Sequence, residues 1–162
     1  VCGVSETGKI GLMNKKNNSF FKILAKNSQK RKPVINIFGK NHKTFDGTCI
    51  RDFIHVSDLT SVHLKALKVL NNKKKSFLIN CGYGKGNSVL QIATLFKKNI
   101  NKLTKINFKK ARKGEIAISY SNTDKMKKIL NLKPKYNNIN LILRNVVNWE
   151  RKLLNLKKNK FR

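Results

Sequence analysis

F-D-G-T-C-I-R-D-F-I-H-V-S-D-L, residues Phe45 to Leu59, is the segment with the strongest pattern in the chain. Asp46 and Gly47 predict a tight turn, because glycine accepts a positive φ and the Asp side chain can bond to the turn backbone. Alternation then predicts a short strand. One face of this strand would carry Cys49, Arg51, Phe53 and His55, and the other would carry Ile50, Asp52, Ile54 and Val56.

Arg51 is the residue of this segment best suited to bind a ligand. A strand would hold its guanidinium on rigid backbone beside Asp52, a carboxylate that can orient it. A guanidinium held in this way can bind a phosphate with two hydrogen bonds. The same two residues can equally be surface neighbours without a ligand, and the residue types alone do not separate these alternatives.

A helix is predicted directly after the strand. Ser57 is a suitable N-cap, and Asp58 in the first turn complements the helix dipole. The apolar residues that follow recur at helical spacing; they are Leu59, Val62, Ala66, Leu67 and Leu70. Phe45 to Leu70 therefore predicts a turn, a short strand and a capped helix.

Further helices and strands are predicted on both sides of this segment. Residues 1–17 have no apolar period and predict a loop. Three strands are expected, at Val34–Phe38, Ser76–Asn80 and Lys105–Lys109, the second as a buried strand. Helices are expected after Ser19, at Val89–Phe96 capped by Ser88, at Thr123–Leu130 capped by Asn122, and from Asn138 onward. The pattern indicates one α/β unit with short strands and about five helices.

The glycine-rich segment G-Y-G-K-G, residues 82–86, imitates a phosphate-binding loop because it lies between a predicted strand and a predicted helix. Its spacing is G-x-G-x-G, whereas dinucleotide-binding loops have G-x-G-x-x-G followed by an acid about twenty residues on. A tight strand-to-helix connection is the favoured interpretation, and an anion site is the alternative.

The charge balance raises a second class of function. The chain has 37 Lys and Arg against 7 Asp and Glu, a formal net charge of +30. Such a surface attracts nucleic acid through its field, so a basic nucleic-acid-binding domain is the alternative hypothesis. Against it, Lys is spread from Lys9 to Lys160, and only six Arg occur. Nucleic-acid binders combine Arg with aromatic residues for base stacking.

Cysteine and histidine spacing predicts neither disulfides nor a metal site. Cys2, Cys49 and Cys81 lack a C-x-x-C spacing, which favours a reduced, cytoplasmic compartment. His42, His55 and His63 show no metal-ligand spacing in the sequence. No apolar run is long enough to span a membrane. The first residue is Val, from which we expect a longer protein.

Four motifs together carry a resemblance to a known family. D-G-T-C-I-R-D-F-I-H-V-S-D-L closely resembles a segment of UDP-glucose 4-epimerases, in the extended short-chain dehydrogenase/reductase superfamily. N-C-G-Y-G-K-G-N-S-V-L from Asn80 is similar to that family's Y-N-L-G-x-G-x-G-x-S-V-L. A-R-K-G-E from Ala111 is similar to its R-R-x-G-D, and I-N-I-F-G from Ile35 precedes them. Order and spacing are kept through nearly the whole chain.

The resemblance implies a fold, an activity and a cofactor. It implies that residues 1–162 form one unit, the C-terminal UDP-sugar-binding part of a Rossmann-like enzyme together with the closing elements of its cofactor domain. The family interconverts UDP-glucose and UDP-galactose by transient oxidation at C4, using NAD, which the missing N-terminal part would bind. The full-length protein would be a homodimer acting on a UDP-sugar, with no specific nucleic-acid or membrane partner. UDP-N-acetylglucosamine and UDP-pentose epimerases share these motifs and stay open as alternatives.

The resemblance also implies roles for seven residues. Arg51 and Arg112 would contact the diphosphate, Phe38 would lie against uracil, and the backbone around Asn36 and Phe38 would contact the base edge. Glu115, where the family usually has Asp, would hold the ribose hydroxyls. Ser19, which replaces the usual Asn, and Phe20 would lie near the nucleotide sugar.

The family's catalytic pair is absent from this sequence. The family uses a Tyr activated by a Lys four residues later. Here Tyr83, Tyr120 and Tyr136 are followed at that distance by Asn87, Asp124 and Asn140. This chain is therefore expected to supply the substrate site and not the catalytic Tyr and Lys.

Overall fold

The computed structural model of the chain describes residues 1–13 and 19–159. Five helices lie in these residues: α1 (Phe20–Asn27), α2 (Val56–Lys73), α3 (Val89–Asn99), α4 (Asp124–Leu130) and α5 (Ile139–Asn159). The same residues form five strands: β1 (Val34–Phe38), β2 (Ile50–Arg51), β3 (Asn87–Ser88), β4 (Lys105–Lys109) and β5 (Ile118–Ser119). The prediction of an α/β fold with short strands and about five helices is confirmed. Residues 14–17 of the predicted N-terminal loop lie outside the described residues.

The strands form two small sheets. β1 pairs in parallel with β4, with Ile35 opposite Ile106 and Phe38 opposite Lys109. β2 is the central strand of the other sheet, antiparallel to β3 and parallel to β5. Because β2 has a neighbour on each side, its backbone is fixed on both edges.

The main core lies where α1, α3 and α5 cover β1. Its central side chains are 0% exposed; among them are Leu24, Ile35, Ile92, Phe96 and Ile142. Burial of each such side chain stabilises the fold by about 1.5–3 kcal/mol before the entropy cost of ordering it. A buried ion pair joins α1 to α5, since Lys22 Nζ lies 2.5 Å from Glu150 Oε2.

Three helix starts agree with the predictions and two differ by a residue or more; α1 begins at Phe20, directly after Ser19. Ser88 caps α3 in a complete capping box with Gln91, and the Asn138 side chain accepts from the amides of Asn140 and Leu141 at the start of α5. α4 begins one residue later than predicted, at Asp124, although the side chain of Asn122 accepts from the Asp124 amide.

Ser57 is not the N-cap of α2. The N-cap is His55, whose Nδ1 accepts from the Ser57 amide at 3.1 Å. An imidazole nitrogen provides the acceptor that the Ser hydroxyl was expected to provide, because a cap requires only an acceptor two or three residues before the orphan amide.

The predicted strand after the Asp-Gly turn is much shorter than expected. Only Ile50 and Arg51 form β2, and His55 makes a single bridge with Cys2. Cys49 and Ile50 are both buried, so the side chains do not alternate between two faces. The segment pairs with three separate partners, β3, β5 and Cys2, and with no single neighbour along its length.

The predicted buried strand Ser76–Asn80 is wrong. It forms no strand in the described residues, and Leu78 is 81% exposed. Phe77 and Ile79 instead pack against a second cluster formed by Val62, Met126 and Leu130. A strand needs hydrogen bonds to a neighbour, and no described strand pairs with this segment.

The apolar stripe of α2 is only partly covered. Val62 is 2% exposed, but Leu67 and Leu70 are 56% and 40% exposed. Within the described residues, no helix is both long and apolar enough to cross a membrane.

The Gly82–Gly86 loop binds a carboxylate from the same chain, that of Asp52. The Asp52 carboxylate accepts from the amides of Tyr83 and Gly84 at distances of 3.0–3.1 Å, and from that of Ser121 at 3.4 Å. A side chain at Gly82 would collide with this carboxylate. The interpretation as a tight connection is therefore supported, because its backbone donors are directed at Asp52.

A second carboxylate joins α2 to the segment before α5. Asp58 is 3% exposed and accepts from the Tyr83 hydroxyl at 2.6 Å and from the amides of Lys135 and Tyr136 at 2.9 Å. His55 is 0% exposed and stacks on Tyr136 with ring centroids 4.4 Å apart. Burial lowers the pKa of His55, against the opposing effect of Asp58 and Glu6.

Replacing the Asp52 carboxylate should weaken the fold. Asp52→Asn keeps the size but removes the charge and one acceptor oxygen, so we expect a loss of about 2 kcal/mol in the free energy of unfolding. Urea denaturation of the chain measures it. The control is Asp124→Asn, whose carboxylate is 83% exposed and should change little; equal losses in both variants would contradict the assignment.

Stability should fall on acidification because of His55. Its folded-state pKa lies below the ordinary value of 6.5, so the unfolded chain takes up the proton more readily. Above pH 6.5 the imidazole is neutral in both states and the fold keeps its full stability. As the pH falls below 6.5, the unfolded chain binds the proton first and stability is lost. Urea midpoints between about pH 7 and about pH 5 should decline less in His55→Gln than in the parent. His63→Gln, at an exposed position, should retain the parental decline.

Candidate functional site

Phe38 and Arg112 form a stacked pair. Phe38 is the last residue of β1, and Arg112 lies in the loop after β4, which is the neighbouring strand. The guanidinium carbon of Arg112 lies 4.1 Å from the centroid of the Phe38 ring. Such a cation–π contact fixes the guanidinium plane over the ring. Asn36 lies two residues earlier in β1, with an exposed side chain.

Arg51 lies on the central strand of the three-stranded sheet, opposite Asn87 on one side and Ser119 on the other. Its Nη1 donates to the carbonyls of Ile50 at 2.8 Å and Ala117 at 3.4 Å. These bonds hold the guanidinium. Asp52, expected to orient Arg51, bonds to the amides of the Gly82–Gly86 loop instead.

Glu115 follows the turn at Gly114, whose φ is 76°. Its Oε2 is buried and has no hydrogen-bond partner among the described residues. Cys49 and His42 lie close to it, since one ligand atom from each of the three side chains lies within 4.8 Å of the others. Glu115 therefore points inward, toward the start of β2.

Cys49 connects Glu115 with Arg51. Burial raises the pKa of the Cys49 thiol, and the neighbouring Glu115 raises it further, while Arg51 lowers it. The thiol thus has the carboxylate and the guanidinium as near neighbours. Glu115 and Arg51, far apart in sequence, are brought to the same place by this residue.

His42 connects this cluster to the Phe38–Arg112 pair. A side chain at Gly39, directly after Phe38, would collide with the His42 ring and contact Ala111, directly before Arg112. Four of the predicted residues therefore belong to one continuous group of contacts, which we call the arginine patch; they are Phe38, Arg51, Arg112 and Glu115.

Ser19 and Phe20 lie at the start of α1, and none of the described contacts joins them to the arginine patch. Ser19 lines a separate apolar groove of about 850 Å³ between the N-terminal segment, α1, α2 and α5. Phe20 contacts Phe21, whose ring lies 5.1 Å from that of Phe53. This groove is thus not the arginine patch.

Sequence reasoning did not identify His42 or the roles of Asp52 and Asp58. A signal existed for the acids, because the chain has only seven and a rare residue type in a basic chain is more often buried or paired. No comparable signal existed for His42, whose neighbours come from distant segments.

The chain matches a known family and solved structures. The profile of the NAD dependent epimerase/dehydratase family matches residues 8–82. A UDP-glucose 4-epimerase from Azospirillum brasilense is 33% identical over 153 residues, which are 94% of this chain and 44% of the relative. UDP-arabinose 4-epimerase 1 from Arabidopsis thaliana is 37% identical over 74% of this chain and 28% of its own length.

The fold is also that of a solved epimerase. A UDP-glucose-4-epimerase from Stenotrophomonas maltophila, with bound NAD and formylated UDP-arabinopyranose, has a TM-score of 0.88 at 27% identity. The match covers 96% of this chain and 46% of that protein. The protein therefore has the Rossmann-like fold of the extended short-chain dehydrogenases/reductases.

Within that class, residues 8–82 match the NAD dependent epimerase/dehydratase family, and most of the chain is similar to a UDP-glucose 4-epimerase. It spans a little under half the length of the relative from Azospirillum brasilense, at 44%.

The reactivity of Cys49 should report its two charged neighbours. Glu115→Gln removes the carboxylate that raises the pKa of this thiol, so its alkylation should begin at lower pH. Arg51→Ala removes the guanidinium that lowers the pKa, so alkylation should require higher pH. Mass spectrometry of iodoacetamide-treated protein in a chelating buffer measures the pH midpoint at Cys49. Cys81 in the same samples is the internal control, and equal shifts at both thiols would contradict the arrangement.

Proposed function

We propose that this chain is the UDP-sugar-binding, C-terminal part of an NAD-dependent UDP-glucose 4-epimerase. The observation that carries the proposal is the arginine patch, in which two guanidinium groups, an aromatic ring and a carboxylate from distant segments share one group of contacts. Similarity to a UDP-glucose 4-epimerase along 94% of the chain supports it. The whole enzyme would interconvert UDP-glucose and UDP-galactose.

Arg51 and Arg112 would neutralise the diphosphate of the UDP-sugar. Both guanidinium groups are already oriented, Arg51 by backbone carbonyls and Arg112 by the Phe38 ring. Orientation before binding lowers the entropy cost of gripping a phosphate. Each guanidinium would bind one phosphate of the diphosphate.

The nucleoside would lie along the end of β1. Phe38 would pack against uracil, with the backbone around Asn36 and Phe38 bonding to the base edge. The Glu115 carboxylate would accept from the ribose hydroxyls, which would satisfy its buried Oε2. Ser19 and Phe20 would approach the nucleotide sugar from α1. Binding concentrated on UDP would leave the hexose free to turn, as exchange of its two faces requires.

The described tyrosines do not suit the role of catalytic base. The Tyr83 hydroxyl donates to Asp58, and burial raises its pKa well above the ordinary range. Tyr136 stacks on His55, and Tyr120 has no Lys four residues later. We infer that the catalytic Tyr and Lys belong to another part of the protein.

NAD would also be held elsewhere in the protein. The glycine-rich loop at 82–86 is the segment of this chain that resembles a diphosphate cradle, but its amides bond to Asp52. An intramolecular carboxylate at that position excludes a second anion, so these residues do not fit the dinucleotide. The cofactor would supply hydride transfer, and this chain would supply the grip on the nucleotide.

Exposed apolar residues support the placement of this chain within a larger sheet. Leu67 on α2 and Leu78 in the unpaired Ser76–Asn80 segment are 56% and 81% exposed. We infer that another part of the protein covers these two side chains. We propose that α2 and residues 76–80 close the cofactor domain, and that the full-length protein is a cytoplasmic homodimer.

Two alternatives differ in what they predict. The curated relatives include UDP-arabinose 4-epimerases, so another UDP-sugar could replace UDP-glucose at the same patch. A nucleic-acid-binding domain would instead use many Lys side chains together, and its affinity would fall steeply with salt.

Arg51 should contribute a charge-assisted hydrogen bond to the binding of UDP. For Arg51→Ala we expect a loss of about 2 kcal/mol in binding free energy, roughly thirtyfold in Kd, as for a lost bond to a charged group. Calorimetric titration of the chain with UDP measures it. Arg31→Ala, which removes an exposed arginine, is the matched control and should leave Kd unchanged. Equal affinities for the parent and Arg51→Ala would exclude the proposed role of Arg51.

A further inference from the structure

His42, Cys49 and Glu115 come from three separate segments and meet at one point. His42 lies in the loop between β1 and β2, Cys49 directly precedes β2, and Glu115 lies between β4 and β5. One ligand atom of each side chain lies within 4.8 Å of the other two. Zn²⁺ binds these donors at about 2.0–2.3 Å, so small side-chain rotations bring all three onto one ion.

All three side chains have buried polar atoms, and two of these atoms lack a hydrogen-bond partner. Cys49 is 2% exposed. His42 Nε2 and Glu115 Oε2 are two of only four buried side-chain nitrogen or oxygen atoms in the described residues that lack a hydrogen-bond partner. An unsatisfied buried polar atom costs about 1–3 kcal/mol, so two such atoms on residues of one cluster favour a ligand that bonds to both side chains.

The backbone holds the three side chains in place. The absence of a side chain at Gly39 leaves room for the His42 ring, and the His42 amide donates to the Gly47 carbonyl at 3.0 Å. The Cys49 carbonyl accepts from the Val89 amide at 2.9 Å. The amide of Glu115 donates to the Arg112 carbonyl at 3.3 Å, which fixes the backbone of this turn. A site on such restrained backbone requires little reorganisation on binding.

We propose that His42, Cys49 and Glu115 form a three-coordinate protein site for Zn²⁺. Sulfur, imidazole nitrogen and carboxylate oxygen together suit Zn²⁺ better than Mg²⁺ or Ca²⁺, which prefer oxygen alone. A thiolate and a carboxylate carry two negative charges, which balance the ion. Arg51 beside the thiol opposes a cation, and because burial and Glu115 raise the pKa of the Cys49 thiol, the ion must displace its proton on binding. Three protein ligands leave a fourth position open.

The Zn²⁺ site shares Glu115 with the nucleotide site, a consequence that rests on the proposed function. The carboxylate cannot ligate the ion and accept from both ribose hydroxyls in the same geometry. Zn²⁺ and UDP should therefore compete, and by reciprocity each should weaken the other by the same factor. The cluster would then act as a metal-dependent inhibitor of nucleotide binding.

Metal binding itself is tested with Co²⁺ as a spectroscopic substitute for Zn²⁺ and with no nucleotide present. We expect thiolate-to-cobalt charge-transfer absorption that saturates at one equivalent and disappears on addition of Zn²⁺. The absorption should be lost in Cys49→Ser and strongly weakened in His42→Gln and Glu115→Gln. The matched controls Cys81→Ser and His63→Gln should retain it. Absorption that is absent, or that depends on Cys81 or His63, would overturn the site.

His42→Gln and Glu115→Gln decide the outcome if Cys49→Ser does not fold. Circular dichroism of each variant verifies its folding, and wild-type affinity for Co²⁺ in both variants would overturn the site. The shared carboxylate is tested by measuring UDP affinity in EDTA and in saturating Zn²⁺, where we expect a loss of about tenfold or more. Absence of UDP binding in EDTA would contradict the proposed function alone, whereas unchanged UDP affinity in Zn²⁺ would contradict the competition alone.

Discussion

The fold depends on carboxylates in one segment that bond to distant parts of the backbone. Asp46 binds the side chain of Ser88 at the start of α3, Asp52 binds the amides of the Gly82–Gly86 loop, and Asp58 binds two amides before α5. Charge-assisted hydrogen bonds of this kind are roughly twice as strong as neutral ones. Acidic residues are few in a chain of net charge +30. Three of them join residues 46–58 to three other segments.

This arrangement also explains the shape of the candidate site. Asp52 binds the glycine-rich loop and does not pair with Arg51. The Arg51 guanidinium is held by backbone carbonyls instead. Glu115 and Arg51 are both neighbours of the Cys49 thiol. A guanidinium and a carboxylate that do not neutralise each other directly remain available for a phosphate and a hydroxyl group, or, for the carboxylate, a metal ion.

Local patterns predicted the elements whose stabilising contacts are close in sequence. Ser88 caps α3 and Asn138 caps α5 as expected, because an N-cap bonds to amides within three residues. The failures involve distant partners. Ser76–Asn80 has strand composition but no described strand beside it, and Ser57 lost the cap position to His55, whose ring is fixed by Tyr136. The same limit applied to His42, whose neighbours Cys49 and Glu115 come from distant segments.

The sequence by itself determined the α/β class, most helix starts and the resemblance to epimerases, because caps, hydrophobic periods and ordered motifs are local properties of the chain. It also named Arg51, Phe38, Arg112 and Glu115 as residues of interest. Only the tertiary structure decided that Arg112 lies on Phe38 and that Glu115 meets Cys49 and His42. These contacts join loops separated by tens of residues, and their geometry follows from sheet pairing and buried carboxylates, which no local pattern encodes.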